Sequence, residues 1–178
     1  MQNLLVIHPL DPAYTPDSPA LIPGALAECG MIMPESGQAR NGPVTRLEIG
    51  PRFVRYISFL GCSPTLIRDG ETLIYMEYPG IKSNPQFLAH PHPHPGRCPQ
   101  CRSKSAELPE PRGWAASLHC PQCGLSLPCW QWDWQHRAGW ARTWVAVYGI
   151  SEGIAVPSDL LLELLGKVSG ASWGWLYQ

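Results

Sequence analysis

Apolar and polar positions along this chain alternate with two periods, and the longer period is the rarer. Its best example is Pro157-Ser-Asp-Leu-Leu-Leu-Glu-Leu-Leu-Gly-Lys-Val168, where Leu161, Leu164, Leu165 and Val168 recur at i, i+3, i+4 and i+7. Proline suits the first turn of a helix, Asp159 complements its positive end, and Lys167 sits near the negative end. Gly170 can close it. A shorter helix is expected over residues 22–29, closed by Gly30. Most other segments favour strands. Residues 3–8 predict a short buried strand. Three more follow at Val44–Ile49, Phe53–Leu60 and Thr72–Tyr78, separated by Gly50-Pro51 and by Asp69-Gly70 in the manner of an antiparallel meander. Phe53, Arg55, Ile57 and Phe59 alternate with Val54, Tyr56, Ser58 and Leu60, so both faces of that strand are mostly apolar and it is expected to be buried on both sides. Thr143–Ile150 predicts another strand. A last one places Trp173, Trp175 and Tyr177 on one face. In Pro128–His136, Trp130, Trp132 and Trp134 alternate with Gln131, Asp133 and Gln135, which in a strand would align three indoles.

These elements predict an α+β fold of mostly antiparallel short strands with one or two helices. Twenty prolines and seventeen glycines in 178 residues agree with turns and short strands rather than long helices. Four regions are expected. Residues 1–85 form the N-terminal part of the α+β body. Residues 86–96 form a linker centred on His90-Pro-His-Pro-His-Pro95, an extended polyproline tract. Residues 97–129 form a metal module. Residues 130–178 carry the tryptophan-rich strands and the helix, packing against the first region. Residues 1–9 lack the basic and long apolar parts of a signal peptide, and the Leu160–Leu165 run is too short for a membrane span and contains Glu163. The expectation is a cytoplasmic protein without membrane association.

The chemistry is most explicit in a repeated tetrapeptide, Cys98-Pro-Gln-Cys101 and Cys120-Pro-Gln-Cys123. C-x2-C pairs at this separation are the spacing of a four-cysteine zinc site. Each tight turn can aim two sulfurs at one ion, at about 2.3 Å for thiolates. Pro99 and Pro121 pre-set φ inside the turns, and Gly124 suits the left-handed exit from the second. On these residues, 97–124 resembles a zinc ribbon. Cys98-Pro-Gln-Cys-Arg102 departs from the pattern, with arginine where glycine is usual. The resemblance implies a β-hairpin module with structural Zn2+ held by Cys98, Cys101, Cys120 and Cys123. A rubredoxin-like iron centre would use the same four thiolates. A dithiol redox pair and disulfides are weaker alternatives, because redox chemistry needs only one pair and seven cysteines is an odd number.

Net charge is −1, but residues 91–145 carry six basic side chains against Glu107, Glu110 and Asp133. This local excess, together with the aromatic run, defines a candidate interaction surface of Arg102, Lys104, Arg112, Trp114, Trp130, Trp132, Trp134, Arg137 and Arg142. Tryptophan and arginine anchor protein interfaces, and exposed indoles stack nucleic-acid bases at about 1–3 kcal/mol per base. Burial of the same indoles in a core is the competing reading, and general burial statistics favour it. His90, His92 and His94 suggest a second metal site only if the tract bends, because extended geometry spaces them roughly 6 Å apart. Cys62 follows a strand and is a candidate nucleophile with no base near it in sequence; Cys29, Cys62 and Cys129 also suit small buried apolar positions. Phosphate-binding loops, zincin motifs and nucleophile elbows are absent from the sequence. The expected function is a non-catalytic accessory or adaptor protein that docks a protein partner. The alternatives are a single-stranded nucleic-acid binder and a zinc-containing enzyme with its site near Cys62.

Overall fold

The computed structural model of the chain describes residues 4–34, 45–61, 67–68, 71–105 and 113–178. The N-terminal half runs β1 (Leu4–Pro9), α1 (Leu21–Glu28), β2 (Thr45–Leu47), α2 (Phe53–Tyr56), β3 (Ile57–Phe59), β4 (Ile67–Arg68), β5 (Glu71–Thr72), β6 (Tyr75–Tyr78) and β7 (Gln86–Ala89). The C-terminal half runs β8 (Ser117–His119), β9 (Ser126–Pro128), β10 (Ala138–Ala141), β11 (Val145–Tyr148), β12 (Ala155–Pro157), α3 (Asp159–Ser169) and β13 (Trp173–Tyr177). The fold is α+β with short antiparallel strands, as the patterning predicts.

The central sheet has the order β13-β1-β11-β6-β2, and every pair in it is antiparallel. The strand period of two gives it two different faces. Leu5 and Ile7 of β1, Val145 and Val147 of β11 and Met76 of β6 turn towards the helices, where they meet Ile22 and Leu26 of α1, Phe53 of α2 and Leu161 and Leu165 of α3. Val6 and Leu176 belong to a second cluster on the opposite side, with Leu88 of β7 and Ala141 of β10. The β7–β10 pair therefore covers part of the second face, with Trp140 opposite Phe87 in its register. Helix α3 closes at Gly170 as its sequence suggests, but Pro157 ends β12 instead of entering the first turn, and Ser158 is the N-cap. Ser158 Oγ accepts from the Leu161 amide at 3.3 Å, and Gly170 closes the helix with φ of 70°.

Three elements differ from expectation. Residues 53–60 do not form one strand but a helical turn, α2, followed by β3. Phe53, Tyr56 and Ile57 are buried at i, i+3 and i+4, so the apolar run satisfies a helical period as well as a strand period. Contacts distant in sequence decide between them, because Arg52 N–H donates to Gly30 O at 3.0 Å and starts the turn there. The second difference is β7, which forms within the residues read as linker. Proline-rich flanks hide it in sequence, and its partner β10 lies about fifty residues downstream. The third is Pro128–His136. Cys129–Gln131 is a 3-10 turn, and Gln135 and His136 have φ of 55° and 59°, which no strand accommodates.

Candidate metal centre

The two cysteine turns share one backbone design. In the second, between β8 and β9, Cys120 N–H donates to Leu125 O at 2.8 Å and Gly124 N–H to Cys120 O at 3.0 Å. In the first, Cys98 N–H donates to Ser103 O at 2.8 Å and Arg102 N–H to Cys98 O at 2.9 Å. Arg102 and Gly124 hold equivalent positions, with φ of 64° and 72°. Arginine thus adopts the left-handed conformation that glycine takes for free, and the departure from the ribbon pattern leaves the turn geometry intact. Its side chain is tied down, with Arg102 Nη2 2.7 Å from Asp133 Oδ2.

The turns bring the four sulfurs of Cys98, Cys101, Cys120 and Cys123 within 4.8 Å of one another. Cys98 and Cys123 lie 3.7 Å apart, and Cys101 and Cys120 3.4 Å. A tetrahedron with 2.3 Å metal–sulfur bonds has edges of about 3.8 Å, so this cage fits one tetrahedral ion. Four thiolates around one ion would leave no open coordination position. Among the described residues it is the one group of His, Cys, Asp and Glu side chains placed to hold a metal. The six cysteines among the described residues are free thiols rather than disulfides.

Ser103 is a member of the site that spacing alone did not reveal. Its Oγ lies 3.0 Å from Cys120 Sγ and 3.1 Å from Cys101 Sγ. The hydroxyl stabilises the thiolate form and holds the Cys120 thiol down to about 6, and it lowers Cys101 as well. The Leu125 amide pulls Cys123 down too, but burial and the neighbouring thiols outweigh it and push that thiol up to about 12. Four sulfurs this close cannot all ionise without a cation, and a bound metal removes that conflict. The available signal was positional: Ser103 occupies the same place after the first pair as Leu125 does after the second.

The module is fused to the body. Arg97 N–H donates to Asp133 O at 2.8 Å, and Asp133 N–H returns a bond to Arg97 O at 3.1 Å. Cys98 and Cys120 are buried in one cluster with Leu118, Cys129, Trp132, Trp134 and Trp140, while Cys101 and Cys123 face solvent. Gly96 is needed where the chain enters, because a Cβ there would lie 3.0 Å from the Trp134 ring. Trp114 and Trp130 are half-buried against the same cluster. The aromatic members of the candidate surface therefore come together, but Trp132 and Trp134 do so as core. The basic members are dispersed. Arg102 and Lys104 are exposed, Arg137 Nη2 is held by Glu152 Oε1 at 2.6 Å, and Arg142 Nε donates to Lys82 O at 2.8 Å. Arg112 and Cys62 lie outside the described residues. In the histidine tract, the His92 amide and Arg137 Nη1 both approach His90 Nδ1, at 3.0 and 3.1 Å, so Arg137 and Glu152 anchor the start of the tract to the body.

Among the described residues no helix is long and apolar enough to cross a membrane. Comparison with models of protein families, with curated proteins and with solved structures finds no match to this chain.

Proposed function

We propose that this chain is a zinc-ribbon accessory protein of a reducing compartment, the cytoplasm, which acts by docking a protein partner and performs no chemistry of its own. The observation that carries the reading is the closed four-sulfur cage, fused to the body on its inner side and bare on its outer side. Zinc is the ion of choice because it accepts a tetrahedral thiolate set and stays redox-silent. Metal binding supplies folding energy that a two-strand hairpin cannot obtain from its own core. Both turn tips present Pro-Gln to solvent, at Pro99-Gln100 and Pro121-Gln122, and Arg102 and Lys104 are exposed beside the first. A rigid, partly basic knuckle of this kind suits recognition of a partner's surface. The single-stranded nucleic-acid reading has less support. Trp132 and Trp134 are buried, and Arg137 is already paired with Glu152.

The test has two stages. Elemental analysis of the purified chain should find one zinc per chain; iron at that stoichiometry, or no metal, refutes the zinc assignment. Affinity capture is then compared for wild type and for the Arg102→Glu/Lys104→Glu variant, with single-stranded RNA titrated in parallel. A specific partner lost in the folded, zinc-loaded variant supports docking through the ribbon. Salt-sensitive RNA binding with no such partner overturns it in favour of nucleic acid.

A further inference from the structure

A second site lies behind the ribbon, where β1, β10 and β13 meet the tryptophan-rich segment. A cleft of about 170 Å³ opens there, lined by the half-buried Trp130 and Trp175, by the buried Trp132, Trp134 and Trp140, and by His8 and Asp133. It is smaller than the roughly 300–1,000 Å³ of pockets that take whole drug-sized ligands, so it suits a head group. From the character of its walls we infer that this cleft binds an organic cation, a quaternary or methylated ammonium group.

Several polar atoms at the cleft are acceptors. His8 Nδ1 lies 2.8 Å from Pro9 O, and a carbonyl oxygen can only accept, so Nδ1 carries the proton and Nε2 presents a lone pair. Burial holds His8 down to about 4, so the ring stays neutral at physiological pH. His136 Nδ1 is placed in the same way, 2.9 Å from Trp175 O, which leaves its Nε2 turned away from that bond. Asp133 adds a carboxylate, and among the described residues no lysine or arginine lines the cleft. Asp133 is already oriented, since its Oδ1 accepts from the Gln135 amide at 2.8 Å and its Oδ2 pairs with Arg102. That pairing offsets part of its charge, which leaves the aromatic lining to supply the rest of the attraction for a cation. Among the fully buried side-chain atoms of the described residues, Trp132 Nε1 is an indole N–H without a partner, and it is sealed from solvent. An aromatic wall with acceptors and no cation of its own is the arrangement that selects quaternary ammonium groups.

The floor of the cleft is kept low by a glycine that no φ requirement explains. A Cβ at Gly139 would lie 2.9 Å from His8 Cε1 and 3.0 Å from His8 Nε2. Gly139→Ala therefore forces a shift of the His8 ring, which borders the cleft.

The inference does not depend on the docking reading and is tested on the full zinc-loaded chain. Tetramethylammonium chloride is titrated against sodium chloride at matched ionic strength, with indole N–H NMR shifts and tryptophan emission as readouts. The expected result is a saturable change, several-fold weaker in Trp130→Ala and in Gly139→Ala. Choline is compared with its uncharged carbon isostere, 3,3-dimethylbutanol, on the wild-type chain, which removes any question of variant folding. Choline should bind at least several-fold more tightly. Equal binding of the uncharged isostere, or no saturable change at tens of millimolar tetramethylammonium, overturns the inference. A trimethyllysine peptide and its unmethylated form make the last arm. Preference for the methylated peptide over choline identifies the source of the cation as a protein side chain, and the reverse identifies a free small molecule.

Discussion

Replacing Arg102 by alanine and by glycine separates the two energies that meet at this residue. The left-handed conformation, φ of 64°, costs an L-residue about 1–2 kcal/mol. The ion pair with Asp133 opposes that cost, but the arginine side chain is 56% exposed, so the pair contributes only about 0.2–1 kcal/mol. Alanine loses the pair and keeps the strain, so Arg102→Ala should destabilise by about 0.2–1 kcal/mol. Glycine also loses the pair but relieves the strain, at an added unfolded-state entropy cost of about 0.4–1 kcal/mol. Arg102→Gly should therefore be more stable than Arg102→Ala by about 0.5–1 kcal/mol. In a chain of this size that difference is about 1–4 °C in Tm. The assay is thermal unfolding of the zinc-loaded protein by tryptophan fluorescence, with zinc competition against a chelator as a second readout. The two should agree, because ordering of the first turn is linked to metal binding. An alanine variant as stable as the glycine variant would refute the reasoning, since it would mean that residue 102 is not held in a strained turn.

Other changes should report on neighbouring parts of the argument. Cys98→Ser or Cys120→Ser should abolish stoichiometric metal and unfold the ribbon, seen as a red shift of the Trp132 and Trp134 emission; retained partner binding by metal-free protein would contradict the docking proposal. Ser103→Ala should raise the Cys120 thiol from about 6 towards its ordinary value, so protons compete better and metal is released at a higher pH; an unchanged release midpoint would sink this role for the hydroxyl. His8 is held at about 4 against an ordinary 6.5, so the unfolded chain binds the extra proton first. Its contribution to stability is complete above pH 6.5 and is lost as pH falls towards 4, to a total of about 3 kcal/mol; an imidazole NMR titration centred near 6.5 would refute it. Gly50→Ala should destabilise by about 1–3 kcal/mol, because its Cβ would lie 2.5 Å from Gly30 O. Gly24→Ala in α1, with nothing among the described residues within 4 Å, should instead stabilise by about 0.5–1 kcal/mol in thermal unfolding.

The candidate site divides along the same line as the fold. The grouping of the four cysteines was readable because a tight turn fixes its two cysteines within four residues, and two such turns need only a spacer long enough to meet. Ser103 was not readable, because its role depends on the hydroxyl reaching a sulfur of the other turn, seventeen positions away in sequence. The cleft was not readable at all. His8 and Gly139 touch only because β1 and β10 pack together across the sheet, and no local pattern records that.

What the sequence determined by itself is what local physics controls: helix α3 with its closing glycine, the first and last strands of the chain, the α+β class and the four-cysteine cage. These rest on periodicity, capping and turn chemistry acting over a few residues. The tertiary structure decided what competing local signals left open. It chose a helical turn for Phe53–Tyr56, because Gly30 O supplied the partner that starts it. It paired β7 with β10 despite the prolines around β7. It also buried Trp132 and Trp134 beneath the ribbon, because the exchange of backbone bonds between Arg97 and Asp133 binds the metal module to that segment. Alternation can place indoles on one side of a chain, but only the packing of distant segments decides whether that side meets water or the core.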